Sequence, residues 1–312
     1  MEVLRRLSVF RERLGPEVGT AFDALAERLR LFFGHSGEGY FSHPLALPVL
    51  ELPRWAAAGH GTMVAPSTLT NLAEAAMAGY LHVRVQDDWF DEQVGEPGAV
   101  MMLADALFAR HQILLAREVD AGSAFWELFE EVWLGYREAM LFERGLHTSG
   151  EPYDAVAFGK VLARSRPLML PPAAALFVAD RPEDVRLLER FASALNAGHQ
   201  LFADLLDVEK DRANGHMTYV LFRLGARMGD ACGADALRVA LFSRGGFDAV
   251  VSDALDELAR AQQAAEALAM PEAVHFLEER AQIMAGIQRK VFEALFSRLQ
   301  GRGADRPEEH PS

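Results

Sequence analysis

Helical spacing of apolar residues runs from one end of this chain to the other, and it narrows the fold more than any other feature. Apolar positions recur at intervals of three and four. No stretch shows the alternation of a half-buried strand, and no Asn-Gly hairpin joins two such stretches. An all-α fold is therefore expected. No linker, repeat or low-complexity block divides the 312 residues, so 1–300 read as one helical domain. The polar stretch 301–312, with two prolines, reads as a disordered tail.

The pattern predicts helices over Met1–Phe33 (broken near Gly15-Pro16), Ser67–Glu92, Ala99–Arg117, Ser123–Arg144 and Ala155–Leu170. Pro171-Pro172 start another, since proline is tolerated in a first helical turn. Pro182–Asp211 follows, closed by Gly215, and then Thr218–Arg227, Ala234–Ser243, Phe247–Ala269 and Pro271–Leu299. His35–Pro66, rich in Gly, Pro and His, reads as irregular or short-helical.

Half the residues are hydrophobic and 24% are charged, which is globular composition. Lys and Arg total 31 against 45 Asp and Glu, a net charge of -14 that argues against broad binding to nucleic acid or anionic membranes. The single cysteine, Cys232, excludes an intramolecular disulfide and a Cys-based zinc cluster. No run of eighteen apolar residues suggests a transmembrane segment, and charges interrupt the N-terminal stretch where a signal peptide needs an apolar core. A cytoplasmic protein is the expectation.

Two acidic clusters emerge from apolar helices. In Gln86-Asp87-Asp88-Trp89-Phe90-Asp91-Glu92, the three aspartates fall at roughly 0°, 100° and 40° on a helical wheel, so they can share one space. In Asp204-Leu-Leu-Asp207-Val-Glu-Lys210-Asp211, the aspartates fall at roughly 0°, -60° and -20°, a narrow stripe. Acidic helix faces are commonly just solvated. Two such stripes facing each other would repel, by about 4 kcal/mol per pair at 4 Å and an effective dielectric of 20, unless cations join them. Oxygen ligands without cysteine favour Mg²⁺, which bridges carboxylates and substrate phosphates.

These residues resemble the class I isoprenoid synthase superfamily. Asp87-Asp88-Trp-Phe-Asp91 matches its DDxxD motif in full. Gln200-Leu-Phe-Ala-Asp204-Leu-Leu-Asp207-Val-Glu-Lys-Asp211 resembles the FQxxDDxLDxxxD of trans-polyprenyl diphosphate synthases, with Ala203 in place of the first aspartate and Gly215-His216 where Gly-Lys is expected. The resemblance spans about residues 70–220. It implies an all-α bundle around a central apolar cavity, with the motifs facing each other and holding several Mg²⁺ ions. Those ions would bind a prenyl diphosphate and stabilise departing diphosphate, leaving an allylic carbocation in the apolar interior. The implied ligands are Asp87, Asp88, Asp91, Asp204, Asp207 and Asp211, although Asp204 could instead orient a basic side chain. Arg84, Arg164, Lys210, Arg212 and His216 are the candidate diphosphate contacts. Gly79, Tyr80, Val83 and Gln200 are the candidate pocket lining. Ordinary core packing or exposed helix charge would also account for several of these.

Three branches of the superfamily compete. Chain-elongating synthases show GGKRxRP near the N-terminus and Arg-Arg-Gly after the first motif. This chain has neither, and Glu92-Gln-Val-Gly-Glu-Pro-Gly98 is acidic, arginine-free and poorly suited to a second diphosphate. Squalene and phytoene synthases carry two DxxxD motifs, which Asp87–Asp91 and Asp207–Asp211 fit. Terpene cyclases need one substrate only. The expected activity is thus a Mg²⁺-dependent terpene synthase, a cyclase or diphosphate lyase acting on a prenyl diphosphate of fifteen or twenty carbons. The alternatives are a prenyltransferase (head-to-head coupling or chain elongation) and a non-catalytic prenyl-lipid binder. The resemblance also allows a homodimer, which no feature of the sequence establishes.

Overall fold

The computed structural model describes residues 2–29, 31, 41, 45–59, 63–92, 95–149, 151–225 and 234–304, without the side chains of 91–92, 147–149, 234–235 and 295–304. Among these residues every regular element is helical. In order they are α1 (Glu2–Glu12), α2 (Pro16–Arg28), α3 (Leu52–Ala58), α4 (Pro66–Glu92), α5 (Pro97–Glu118), α6 (Phe125–Ser149) and α7 (Ala155–Val161). A 3-10 segment, Leu162–Met169, leads into α8 (Leu170–Val178), and a 3-10 turn at Pro182–Asp184 leads into α9 (Val185–Asn214). Then come α10 (Tyr219–Arg223), α11 (Ala234–Arg238), a π-helical turn at Val239–Ser243, α12 (Gly246–Ala267) and α13 (Pro271–Ala304). Residues 301–304 lie within α13, and 305–312 lie outside the described residues.

Local chemistry sets the ends. Glu96 caps α5 by accepting from the backbone N–H groups of Gly98 and Ala99, and Asp154 caps α7 in the same way at Val156 and Ala157. Gly215 closes α9 at φ 73°, a left-handed conformation that favours glycine, and the His216 N–H reaches back to the Asp211 carbonyl at 2.9 Å. The second acidic cluster therefore sits in the last three turns of a 30-residue helix.

Helix α8 is buried through Leu170–Leu176, as a short helix with no polar face must be. It packs against α3, α4, α5, α6 and α9. Helix α4 packs mainly on α5, and α9 mainly on α12. Helix α8 touches both α4 and α9, and the acidic segments of these two helices are linked through Arg164 and Gln200.

The expected single helix Ala155–Leu170 does not form. Pro167 cannot donate to the carbonyl four residues back, and its ring disfavours α geometry just before it, so the chain tightens into 3-10 turns after Val161. Two residues apart on this segment, Arg164 and Arg166 point to different sides, as they would on an α-helix too.

A buried ion network ties α1, α4 and α5. Glu74, only 1% exposed, accepts from Arg110 Nε at 2.9 Å and pairs with Arg6 Nη1 at 3.4 Å. Arg6 also donates to Asn71, whose amide reaches Glu118. Removing one partner of a buried pair leaves an uncompensated charge. Glu74→Ala is expected to lower unfolding free energy by about 3–5 kcal/mol in urea titration.

One helix, α5, is long and apolar enough to cross a membrane by length and composition. It carries Asp105 and Arg110 and packs along α4 and α2. Its His111 is fully buried among Phe129, Trp133 and the backbone of α4, with Nδ1 on the Ala75 carbonyl at 2.8 Å. Burial, reinforced by nearby His82, pushes His111 down to about 4. The native state thus keeps it neutral, while the unfolded chain takes up a proton near pH 6.5. Its contribution is complete above pH 6.5 and is lost as pH falls through 4, by about 3 kcal/mol in all. Urea midpoints at pH 7 and 4.5 should show the loss, and His111→Gln should flatten it.

Candidate functional site

The last turns of α4 bring together three described polar side chains, Arg84, Asp87 and Asp88. Arg84 lies one turn before the aspartates, as the spacing of a helix requires. Its Nη1 is 3.2 Å from Asp87 Oδ2, and its Nη2 donates to Asp88 Oδ1 at 2.7 Å. The two aspartates otherwise face different neighbours. Asp88 accepts from Arg28 of α2 at 2.6 Å, whereas Asp87 pairs with Arg164 at 3.5 Å. The expectation that both would point into one space holds only at Arg84, because a step of about 100° turns Asp88 toward α2. The Asp91 side chain lies outside the described residues.

Arg164 is the hub. From the 3-10 segment it donates through Nη1 to Glu143 of α6 at 2.8 Å and through Nη2 to Gln200 Oε1 of α9 at 3.0 Å. The Gln200 amide donates in turn to Asp204 Oδ1 at 2.6 Å. A continuous polar chain thus runs from Asp87 on α4 to Asp204 on α9. Burial alone would lower the Arg164 pKa, but Glu143 and Asp87 outweigh it and hold it above the ordinary value. Burial pushes the Asp204 carboxyl up to about 7, against the pull of Arg164 and the Gln200 hydrogen bond. Tyr153, kept protonated by burial and by the nearby Glu143 carboxylate, stands at the edge of this chain. Tyr136 donates to Gln86 at 2.7 Å just behind Asp87.

Beside the chain, Arg280 of α13 donates to His199 Nδ1 at 2.7 Å. A guanidinium can only donate, so this nitrogen accepts and the ring is neutral. Burial, with the charges of Arg280 and Arg164, pushes His199 down to about 3.

The structure brings together Arg84, Asp87, Asp88, Arg164, Gln200 and Asp204 from the residues singled out in the sequence. Asp207 and Lys210 are exposed on α9, and Asp211, Arg212 and His216 are half-buried near its end. Gly79 does not open a pocket. A Cβ there would stand 2.8 Å from His111 Nδ1, so its missing side chain makes room for that imidazole instead. Tyr80 is core, edge-on to Phe41 at 5.5 Å between ring centroids, and Val83 is half-buried.

Arg28, Gln86, Tyr136, Glu143 and His199 were not anticipated in these contacts. Glu143 carries a legible signal: it continues the stripe Trp133, Tyr136, Met140 at helical spacing, where a carboxylate among buried aromatics needs a partner. Next to the Arg28–Asp88 pair a cavity of about 540 Å³ opens between α2, α4 and α5. Its walls include Ala24, Leu25, Val85, Val100 and Leu103, so it is apolar within and charged at one edge.

No three His, Cys, Asp or Glu side chains are gathered around one point among the described residues. The donors at Asp87 and Asp88 are carboxylate oxygens only, neutralised here by Arg28, Arg84 and Arg164. That donor set suits a hard divalent cation, which would supply the same charge.

No protein-family model matches the chain. A search of curated proteins also gives no match. Solved structures do match. The geranylgeranyl pyrophosphate synthetase of the archaeon Geoglobus acetivorans has a TM-score of 0.67 and 16% identity, over 91% of this chain and 97% of that chain. A polyprenyl synthase of Caulobacter crescentus, complexed with calcium and isoprenyl diphosphate, gives 0.65 and 18% over 91% and 96%. The geranylgeranyl pyrophosphate synthetase of Pyrococcus horikoshii gives 0.65 and 14% over 91% and 96%. The chain has the all-α isoprenoid synthase fold that the two aspartate motifs led one to expect.

Proposed function

We propose that this chain is a divalent-cation-dependent prenyltransferase acting on an allylic prenyl diphosphate. The observation that carries the reading is the polar chain from Asp87 through Arg164 and Gln200 to Asp204, which joins the two acidic clusters. Mg²⁺ is the proposed cation, with Asp87, Asp88 and Asp91 as its ligands on α4 and Asp207 and Asp211 on α9. Bound there, it would neutralise the diphosphate and stabilise it as a leaving group.

The protein's own residues then have separable tasks. Arg84 and Arg164 now hold carboxylates. Once a metal ion takes those carboxylates, the guanidinium forks can turn to diphosphate oxygens, which they match in geometry. Arg212 and His216, near the end of α9, are proposed as further diphosphate contacts. Asp204 is proposed to orient Gln200, and through it Arg164, because its Oδ1 already accepts from the Gln200 amide at 2.6 Å. Asp204→Asn keeps an acceptor oxygen at that point. It is expected to retain activity within about tenfold, whereas a ligand role would make it far worse.

Prenyl transfer is preferred over the one-substrate reaction for two reasons. The named structural neighbours are prenyl diphosphate synthases. Arg28 also brings an arginine to Asp88 from outside both motifs, where the loop after the first motif has none, and it could serve a second diphosphate. The lyase reading keeps the support of that acidic loop. Incubation with allylic prenyl diphosphates of ten, fifteen and twenty carbons, with and without isopentenyl diphosphate, separates them by mass spectrometry of the products. A chain longer by five carbons supports transfer. A cyclic hydrocarbon or alcohol from the allylic substrate alone supports the lyase, and no product under any condition removes both.

A further inference from the structure

Apart from the aspartate site, a groove of about 830 Å³ lies between the 3-10 segment Leu162–Met169, the first half of α9 and the end of α12. Four arginines line it, from three elements: Arg166, Arg186, Arg190 and Arg260. Only two carboxylates join them. Glu189 is taken by Arg166 at 2.8 Å, and Glu257 by Arg260 at 2.5 Å. Arg186 and Arg190, one helical turn apart on α9, have no carboxylate partner among the described residues. A positive surplus at one groove runs against the net charge of -14 for the whole chain.

Two further features show that the groove is more than a charged surface. Asn196 lines it while being only 8% exposed, which puts a polar side chain in its inner wall. The floor around it is apolar, with Met169, Ala192 and Ala264. The volume falls within the ~300–1,000 Å³ of small-molecule sites. Arginine forks match phosphate oxygens bidentately, and an apolar floor holds a hydrocarbon chain.

We propose that this groove binds an amphiphile with a phosphate head and an apolar chain. Arg186 and Arg190 take the head, Asn196 supplies a hydrogen bond, and the floor takes the chain. The site is separate from the diphosphate contacts proposed above, since Arg164 is not part of its lining. The two share a wall, because the segment that carries Arg164 toward Asp87 also carries Ser165 and Arg166 into the groove.

The test is calorimetric titration of the full chain with dodecyl phosphate, below its micelle concentration and with EDTA present so that metal-dependent binding is silent. Saturable one-to-one binding is expected, weaker by about tenfold or more in the double variant Arg186→Glu/Arg190→Glu and unchanged in Arg84→Gln, which alters the aspartate site away from the groove. Arg186 and Arg190 are exposed, so the double variant keeps its fold, which circular dichroism would verify. No binding, equal binding by the double variant, or loss in Arg84→Gln would overturn the proposal. So would equal affinity for inorganic phosphate, which has no chain. A second arm distinguishes the source of the ligand. Sedimentation with phosphatidic acid vesicles but not phosphatidylcholine vesicles, lost in the double variant, identifies a bilayer phospholipid. Binding of dodecyl phosphate without vesicle sedimentation identifies a soluble amphiphile.

Discussion

Asp87→Ala is expected to lower turnover of a prenyl diphosphate by ~10³-fold or more, with the helical circular dichroism unchanged. Metal-assisted stabilisation of a leaving diphosphate is worth several kcal/mol, and each 1.36 kcal/mol is tenfold in rate. Among the described side chains of the first cluster, Asp87 is the one that faces the second, through Arg164. Its loss therefore removes a proposed ligand and also the link across the site. Arg164 keeps its closer partners, Glu143 and Gln200, so a change of only ~1 kcal/mol is expected in urea titration. Full activity in Asp87→Ala would end the assignment of this cluster. A collapse of stability instead would mark Asp87 as a structural ion-pair partner.

Arg164→Gln is expected to cost ~10²–10³-fold in kcat/KM, the range seen when one well-placed donor to a developing anion is removed. It should also destabilise the protein, because Glu143, 16% exposed at its side chain, loses its charged partner. Arg164→Lys separates the two effects. The ammonium restores a charge near Glu143 and so most of the stability. It cannot reproduce two forks aimed at Glu143 and Gln200, so the activity should stay low. If lysine restored both, the guanidinium would be acting only as a charge.

The fold class was legible because helical period needs no long-range information. Gly15-Pro16, Gly215 and the capping positions Asp154 and Thr218 are local signals that the structure uses as written. Ala155–Leu170 was misread because its apolar spacing stays helical across Pro167, while the backbone cannot. Arg164, which enters the polar chain, and Arg166, which lines the outer groove, both lie on that 3-10 segment and face different sides. The acidic clusters were visible as carboxylates emerging from apolar helices. Their partners were not, because Arg28, Glu143 and Gln86 meet them from three different helices and no spacing rule connects those. Gly79 shows the limit of reading an absent side chain as empty space, since His111, thirty-two residues further on, fills it.

The most direct test of the central claim is release of inorganic diphosphate from a fifteen-carbon allylic prenyl diphosphate, measured continuously in Mg²⁺ and again in EDTA. The account predicts release in Mg²⁺ with isopentenyl diphosphate present, none in EDTA, and none in Asp87→Ala. Release that persists in EDTA, or that Asp87→Ala leaves intact, would contradict it, because the two acidic clusters would then have no part in the chemistry.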